Sequence, residues 1–172
     1  MIMKRYVGLL FFLVLVIIPI TGKTEDSSFY NQKGLNELQI DNPKGAVDFF
    51  IQAISIDPSQ KHYYNNLGAA YIRLGEYDKA EINLKKSLNL DAAYVKALAN
   101  MSVALFHLGR YRESYSYYIR SKRIDGKYTK ERFDKARVSS SIKKMSVERP
   151  DDAELKEIRK YLDSNLLLNI GE

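Results

Sequence analysis

At 172 residues the chain is long enough for one domain with added segments, and a hydrophobic share of 45% allows a packed core and argues against wholesale disorder. It has no cysteine, which excludes disulfides, thiolate metal sites, a cysteine nucleophile and lipid attachment through an N-terminal cysteine. The formal charge is +6, and without Lys4 and Arg5 it is 25 basic against 21 acidic residues, a mild excess that favours anionic partners but does not by itself indicate nucleic acid.

The first five residues are short and basic, and residues 6–20 then run without a charge, broken only by Gly8 and Pro19. A positive start followed by an apolar centre is the layout of a secretory signal. The run is short for a spanning helix, which needs roughly 20 apolar residues. Thr21 and Gly22 supply a cleavage end, although Ile20 stands where a small residue is preferred. Residues 1–22 are therefore expected to be a signal peptide or an uncleaved N-terminal membrane anchor. In both cases Lys4 and Arg5 stay in the cytoplasm and the remainder is exported. The expected destination is a bacterial periplasm, or the membrane itself through the N-terminal segment.

From residue 27 a step of 34 governs the chain. Ile56-Asp57-Pro58, Leu90-Asp91-Ala92 and Ile124-Asp125-Gly126 keep that step, as do Leu74-Gly75 with Leu108-Gly109, and Tyr77 with Tyr111. A period of this length marks repeats that bury their apolar faces only against their neighbours. The middle unit, 61–94, reads Tyr64, Leu67-Gly68, Tyr71, Ala80, Leu84 and Ala92. The first, 27–60, keeps Tyr30, Gly34, Ala46, Phe50, Ala53 and Pro58, with Lys33 and Glu37 where Leu and Tyr stand in the middle unit's pattern. The third, 95–128, keeps Leu98, Met101 and Leu105, with Ser102 and Ser114 at small-residue positions and Tyr118 at an aromatic one.

Within the middle unit Tyr64, Leu67, Ala70, Tyr71 and Leu74 share one helical face. Gly75 suits a left-handed helix end. Ala80, Leu84, Ser87 and Leu88 form a second stripe, and Asp91 suits a turn or the cap of the next helix. Gly34, Gly68 and Ser102 fall inside first helices, where glycine costs on the order of 1 kcal/mol relative to alanine. The expected return is close approach of the paired helix.

This pattern resembles the tetratricopeptide repeat, a helix–turn–helix unit of 34 residues, over 102 of the chain's 172 residues. The resemblance implies an all-α fold, a right-handed solenoid of helical hairpins closed by C-terminal capping helices. Residues 129–168 are expected to form a degenerate fourth repeat or cap. A helix is expected over 129–147 with Phe133, Ala136, Val138 and Ile142 as its apolar positions. Pro150 ends it, and another helix starts at Asp151 and Glu154 with a stripe of Leu155, Ile158, Leu162 and Leu166.

By the same resemblance, the first helices line a concave groove for a partner segment. The groove is then expected to hold Asn31 and Leu35 from the first unit, His62, Asn65, Ala69 and Arg73 from the second, Lys96, Val103, Phe106 and His107 from the third, and Lys130, Phe133 and Arg137 beyond. Cations and apolar side chains without a carboxylate suit a protein or peptide of acidic and apolar character. Some chaperone-binding members of the family grip a C-terminal carboxylate with Lys, Asn, Asn, Lys and Arg. Here Asn66 and Lys96 occupy two of those five places, while Asn31, Leu35 and Asn100 occupy the others, so no clamp is expected. Asn66 is expected to join helices.

No catalytic reading follows from the sequence. His62 and His107 are 45 residues apart, and no HExxH, GxSxG or Walker-type loop occurs. No cofactor or metal is expected. Tyr111, Tyr115, Tyr117 and Tyr118 lie among arginines, an arrangement that can stack nucleic-acid bases. The repeat's own core accounts for Tyr111 and Tyr118, Tyr115 is expected to pack and Tyr117 to be exposed, and no nucleic-acid partner is expected. The expected function is a non-catalytic envelope adaptor. The alternative is a structural subunit that self-associates or assembles through its repeats or last helix.

Overall fold

In the computed structural model the described residues are 26–133 and 135–168, with backbone alone for 135–137 and 161–168. The expected signal or anchor, residues 1–22, lies outside them. Every described element is helical, in the order α1 (Ser27–Gln39), α2 (Pro43–Ile56), α3 (Lys61–Leu74), α4 (Tyr77–Leu90), α5 (Val95–His107), α6 (Tyr111–Ile124), α7 (Gly126–Arg132), α8 (Lys135–Glu148) and α9 (Ala153–Leu168). No described helix is long and apolar enough to cross a membrane.

Short polar side chains set the starts of α1 and α2. Asp26 accepts the Phe29 amide at 2.9 Å, and Asn42 accepts the Gly45 amide at 3.1 Å with Pro43 at the first helical position. These caps satisfy amides that the first turn leaves without partners. Gly75 (φ 75°) and Gly109 (φ 79°) end α3 and α5 in the left-handed region. The corresponding place after α1 is held by Asp41, at φ 57°.

Successive hairpins α1–α2, α3–α4 and α5–α6 stack side by side, and each second helix also packs on the first helix of the next unit. Ala46, Phe50, Leu67 and Ala70 fill the first junction. Ala80, Leu84, Ala97, Met101, Ala104 and Leu105 fill the next. The mid-helix glycines make this closeness possible. A Cβ on Gly34 would lie 2.6 Å from the Phe50 ring, and one on Gly68 would lie 2.7 Å from Leu84 Cγ. In the third unit the same crossing is polar: Ser114 Oγ donates to the Ser102 carbonyl at 2.7 Å.

The end of the stack departs from expectation at three points. The helix expected over 129–147 is two helices, broken at Phe133 (φ −113°, ψ 54°). Asp125 starts α7 early by accepting the Tyr128 amide at 2.9 Å, and the Phe133 ring turns to meet Tyr118 edge-on at 5.4 Å. The cap of α9 is Asp152 rather than Asp151: Leu155 N donates to Asp152 Oδ1 at 2.9 Å, and Tyr111 Oη donates to Asp152 Oδ2 at 2.7 Å. Finally, the two tyrosines exchange roles. Tyr115 is 65% exposed, whereas Tyr117 packs against the core between the second and third units.

Candidate ligand groove

A line of side-chain hydrogen bonds crosses the first helices of all four units. Arg132 on α7 donates to Asn100 Oδ1 at 3.1 Å, and Asn100 on α5 donates to Asn65 Oδ1 at 3.0 Å. Asn65 donates to its neighbour Asn66 at 3.2 Å, and Asn66 on α3 donates to Asn31 Oδ1 on α1 at 2.9 Å. Every donor points the same way, from the guanidinium toward α1. Bonds in such a chain polarise one another. Asn65 and Asn100 are 3% and 6% exposed, so these are satisfied buried amides.

The ladder accounts for two residues expected in the groove. Asn65 is present but spends its amide on the ladder, and Asn31, at the end of the line, is half-buried. Asn66 joins helices, as the sequence indicated. The sequence signal for the ladder was weak, because two of its links between helices step by 35 residues and one by 32 rather than 34, and the line shifts from Asn66 to Asn65 within α3.

The cations divide into engaged and free. Arg73 Nη1 donates to the Leu38 carbonyl at 2.6 Å and so caps the C-terminal end of α1. Its guanidinium also lies 3.8 Å from Asp41. Lys96 and Lys130 are exposed and make no ion pair with another described residue. His62 lies close enough to Lys96 to feel its charge. Burial, then Lys61, lowers the His62 pKa below its ordinary value, which keeps the ring neutral at pH 7.

The remaining expected residues separate. Leu35, Ala69 and Val103 are half-buried on the first helices. Phe106 is half-buried against Tyr111, with ring centroids 5.2 Å apart, in the cluster that seats α8 and α9. His107 stacks flat on Tyr77 at 4.3 Å, and Arg149 bonds its carbonyl. Both ring and carbonyl face the turn end of the stack, beside a hollow lined by Ser141, Lys144, Met145 and Glu148. Burial, then Arg149, lowers the pKa of His107. Phe133 is turned onto Tyr118, and the Arg137 side chain lies outside the described residues. What remains on the first helices is a polar floor, with Lys96 and Lys130 exposed and without an ion pair among the described residues, and half-buried Leu35, Ala69 and Val103. Among the described residues no group of three or more His, Asp and Glu could hold a metal ion.

Comparison with known proteins fits this geometry. The tetratricopeptide repeat model matches residues 27–60, and the coatomer epsilon subunit model matches residues 57–143. Heat shock protein STI1 of Saccharomyces cerevisiae is 50% identical over 72 residues, which is 42% of this chain and only 12% of that protein. The Arabidopsis OM64 TPR domain superposes with a TM-score of 0.60 at 26% identity, covering 64% of this chain and 93% of that one. The second TPR domain of human RPAP3, in complex with the HSP70 peptide SGPTIEEVD, superposes with a TM-score of 0.56 at 20% identity, covering 60% of this chain and 88% of that one.

Proposed function

Because this chain belongs to the tetratricopeptide repeat family, and its residues 57–143 to the sequences described by the coatomer epsilon-subunit model, we propose that it is a non-catalytic adaptor holding a segment of another protein against its first helices. The guest is an extended peptide with acidic and apolar residues. The observation that carries this reading is the pairing of a satisfied amide floor with Lys96 and Lys130, which are exposed and have no ion pair among the described residues, and no carboxylate among the residues named for the face. A rigid floor fixes the helices that carry these lysines before the guest arrives, which lowers the cost of ordering on binding. Acidic side chains then supply charge complementarity and apolar ones meet Leu35, Ala69 and Val103.

Relatives support the partner class. A structure similar in fold is bound to an HSP70 peptide ending in EEVD. Three of the five places of the family's carboxylate grip hold Asn31, Leu35 and Asn100, and Asn100 and Asn66 are committed to the ladder. The guest of this chain is therefore read along its length, not at its C-terminus alone. With residues 1–22 acting as signal or anchor, the adaptor works in a bacterial envelope.

The test is calorimetric titration of the protein with SRMEEVD and with the same acidic run placed internally and amidated. Comparable binding of both, weakened at least tenfold by Lys96→Glu, supports the reading. Binding that ignores Lys96→Glu contradicts it.

A further inference from the structure

The edge of the stack where α1 begins differs from the edge formed by the hairpin turns. The last residues of α2, α4 and α6 lie there, because each pairs antiparallel with a first helix starting at the same level. Ser87 Oγ bonds the Lys61 carbonyl at 2.8 Å and Tyr63 Oη bonds Ser27 Oγ at 3.0 Å, which ties these ends together. Along this edge Ile56, Leu90 and Ile124 are 50%, 47% and 50% exposed, one per unit in a row. Lys122, Arg123 and Lys127 stand exposed beside Ile124.

The acids of the same edge keep their charge but are engaged in local contacts. Asp26 caps α1, Asp57 accepts the Ser59 amide at 3.0 Å, Asp91 is bonded by Lys61, and Asp125 caps α7. The edge thus presents aliphatic tips and, around Ile124, three exposed cations against the single acid Asp125, a pattern suited to a surface carrying anionic lipid. The length of chain outside the described residues says which surface is within reach. Only Thr21 to Glu25 separate the apolar run ending at Ile20 from Asp26, so a fully extended link spans roughly 20 Å.

We propose that this edge rests on the headgroup layer of a bilayer containing anionic lipid, with Ile56, Leu90 and Ile124 dipping into it and Lys122, Arg123 and Lys127 meeting the phosphates. The proposal rests on the reading of residues 1–22 as a retained anchor and goes beyond it by assigning the domain an orientation. Tethering makes even a weak surface contact intramolecular in effect. The turn edge and the groove mouth are left facing solvent, open to a guest.

The absence of native cysteine makes the test direct. The full chain, with a fluorophore on Ala92→Cys at this edge or on Asp78→Cys at the turn edge, is reconstituted into phosphatidylcholine–phosphatidylglycerol vesicles carrying a quencher at headgroup depth. The proposal expects the label at position 92 to be quenched severalfold more than the label at position 78. It also expects Lys122→Glu/Arg123→Glu, exposed positions whose change leaves the fold intact, to remove most of that difference while the protein still floats with the vesicles. Flotation with equal quenching at both positions overturns the edge contact and leaves the anchor standing. Self-quenching between labels at position 92 without lipid quenching overturns it in favour of a second copy. A chain that does not float overturns the anchor and the orientation together.

Discussion

Asp41 holds a left-handed backbone, φ 57°, at the place where the next two units carry Gly75 and Gly109. A side chain there is strained, and its carboxylate gains only a distant, exposed contact with Arg73. Asp41→Gly should therefore raise stability by about 0.5–1 kcal/mol, seen as a higher urea midpoint at unchanged slope. The opposite substitution tests the crossings. Alanine is the better helix former, yet Gly68→Ala would place a Cβ 2.7 Å from Leu84 Cγ. Overpacking of that kind costs roughly 1–3 kcal/mol. A destabilised Gly68→Ala with an unharmed exposed-site alanine control checks that the glycine is there for closeness. Asn65→Ala leaves the Asn100 donor and the Asn66 acceptor unpaired in a buried place. The expected loss is about 1–3 kcal/mol, measurable by denaturation.

Among the elements, the hairpins were readable because apolar spacing, glycine at the turns and aspartate at the caps all repeat together. The break between α7 and α8 was not. A face drawn on an ideal helix through 129–147 puts Phe133 on the groove side, but the helix stops there and the ring turns to Tyr118. Residue faces beyond a break cannot be carried forward from residues before it. His107 shows a second limit. It sits at the groove's expected position on α5, but Tyr77 from the neighbouring hairpin stacks on it. Contacts between units are set by twist, which single-helix periodicity does not contain. At the start of α9, burial and the Asp152 hydrogen bond push the Tyr111 phenol up to about 12. Asp152→Asn should bring it back toward the ordinary tyrosine value in a spectrophotometric titration.

For the whole molecule the buried clusters lie on helices that pack one unit on the next, so the titrating groups act on a shared stability. His62 and His107 have folded pKa values lowered by burial from the ordinary 6.5. The unfolded chain then binds more protons than the folded one just below that value. Stability is fully present above it and lost as pH falls through the lowered values. Asp57, Asp91 and Asp152 are lowered from 3.8 by their hydrogen-bond partners, so a second loss follows at more acid pH. Melting should be unchanged between pH 8 and 7 and lower by pH 5.5. His107→Phe, which keeps the stack on Tyr77, should reduce the drop.

An adaptor of this kind must receive an acidic guest at Lys96 and Lys130. The most direct measurement is the shift of backbone amide resonances on adding an internal acidic–apolar peptide, with and without Lys96→Glu. Shifts concentrated on α1, α3, α5 and α7 that vanish in the variant are expected. Shifts confined to α2, α4 and α6, or unchanged by Lys96→Glu, would contradict the adaptor reading.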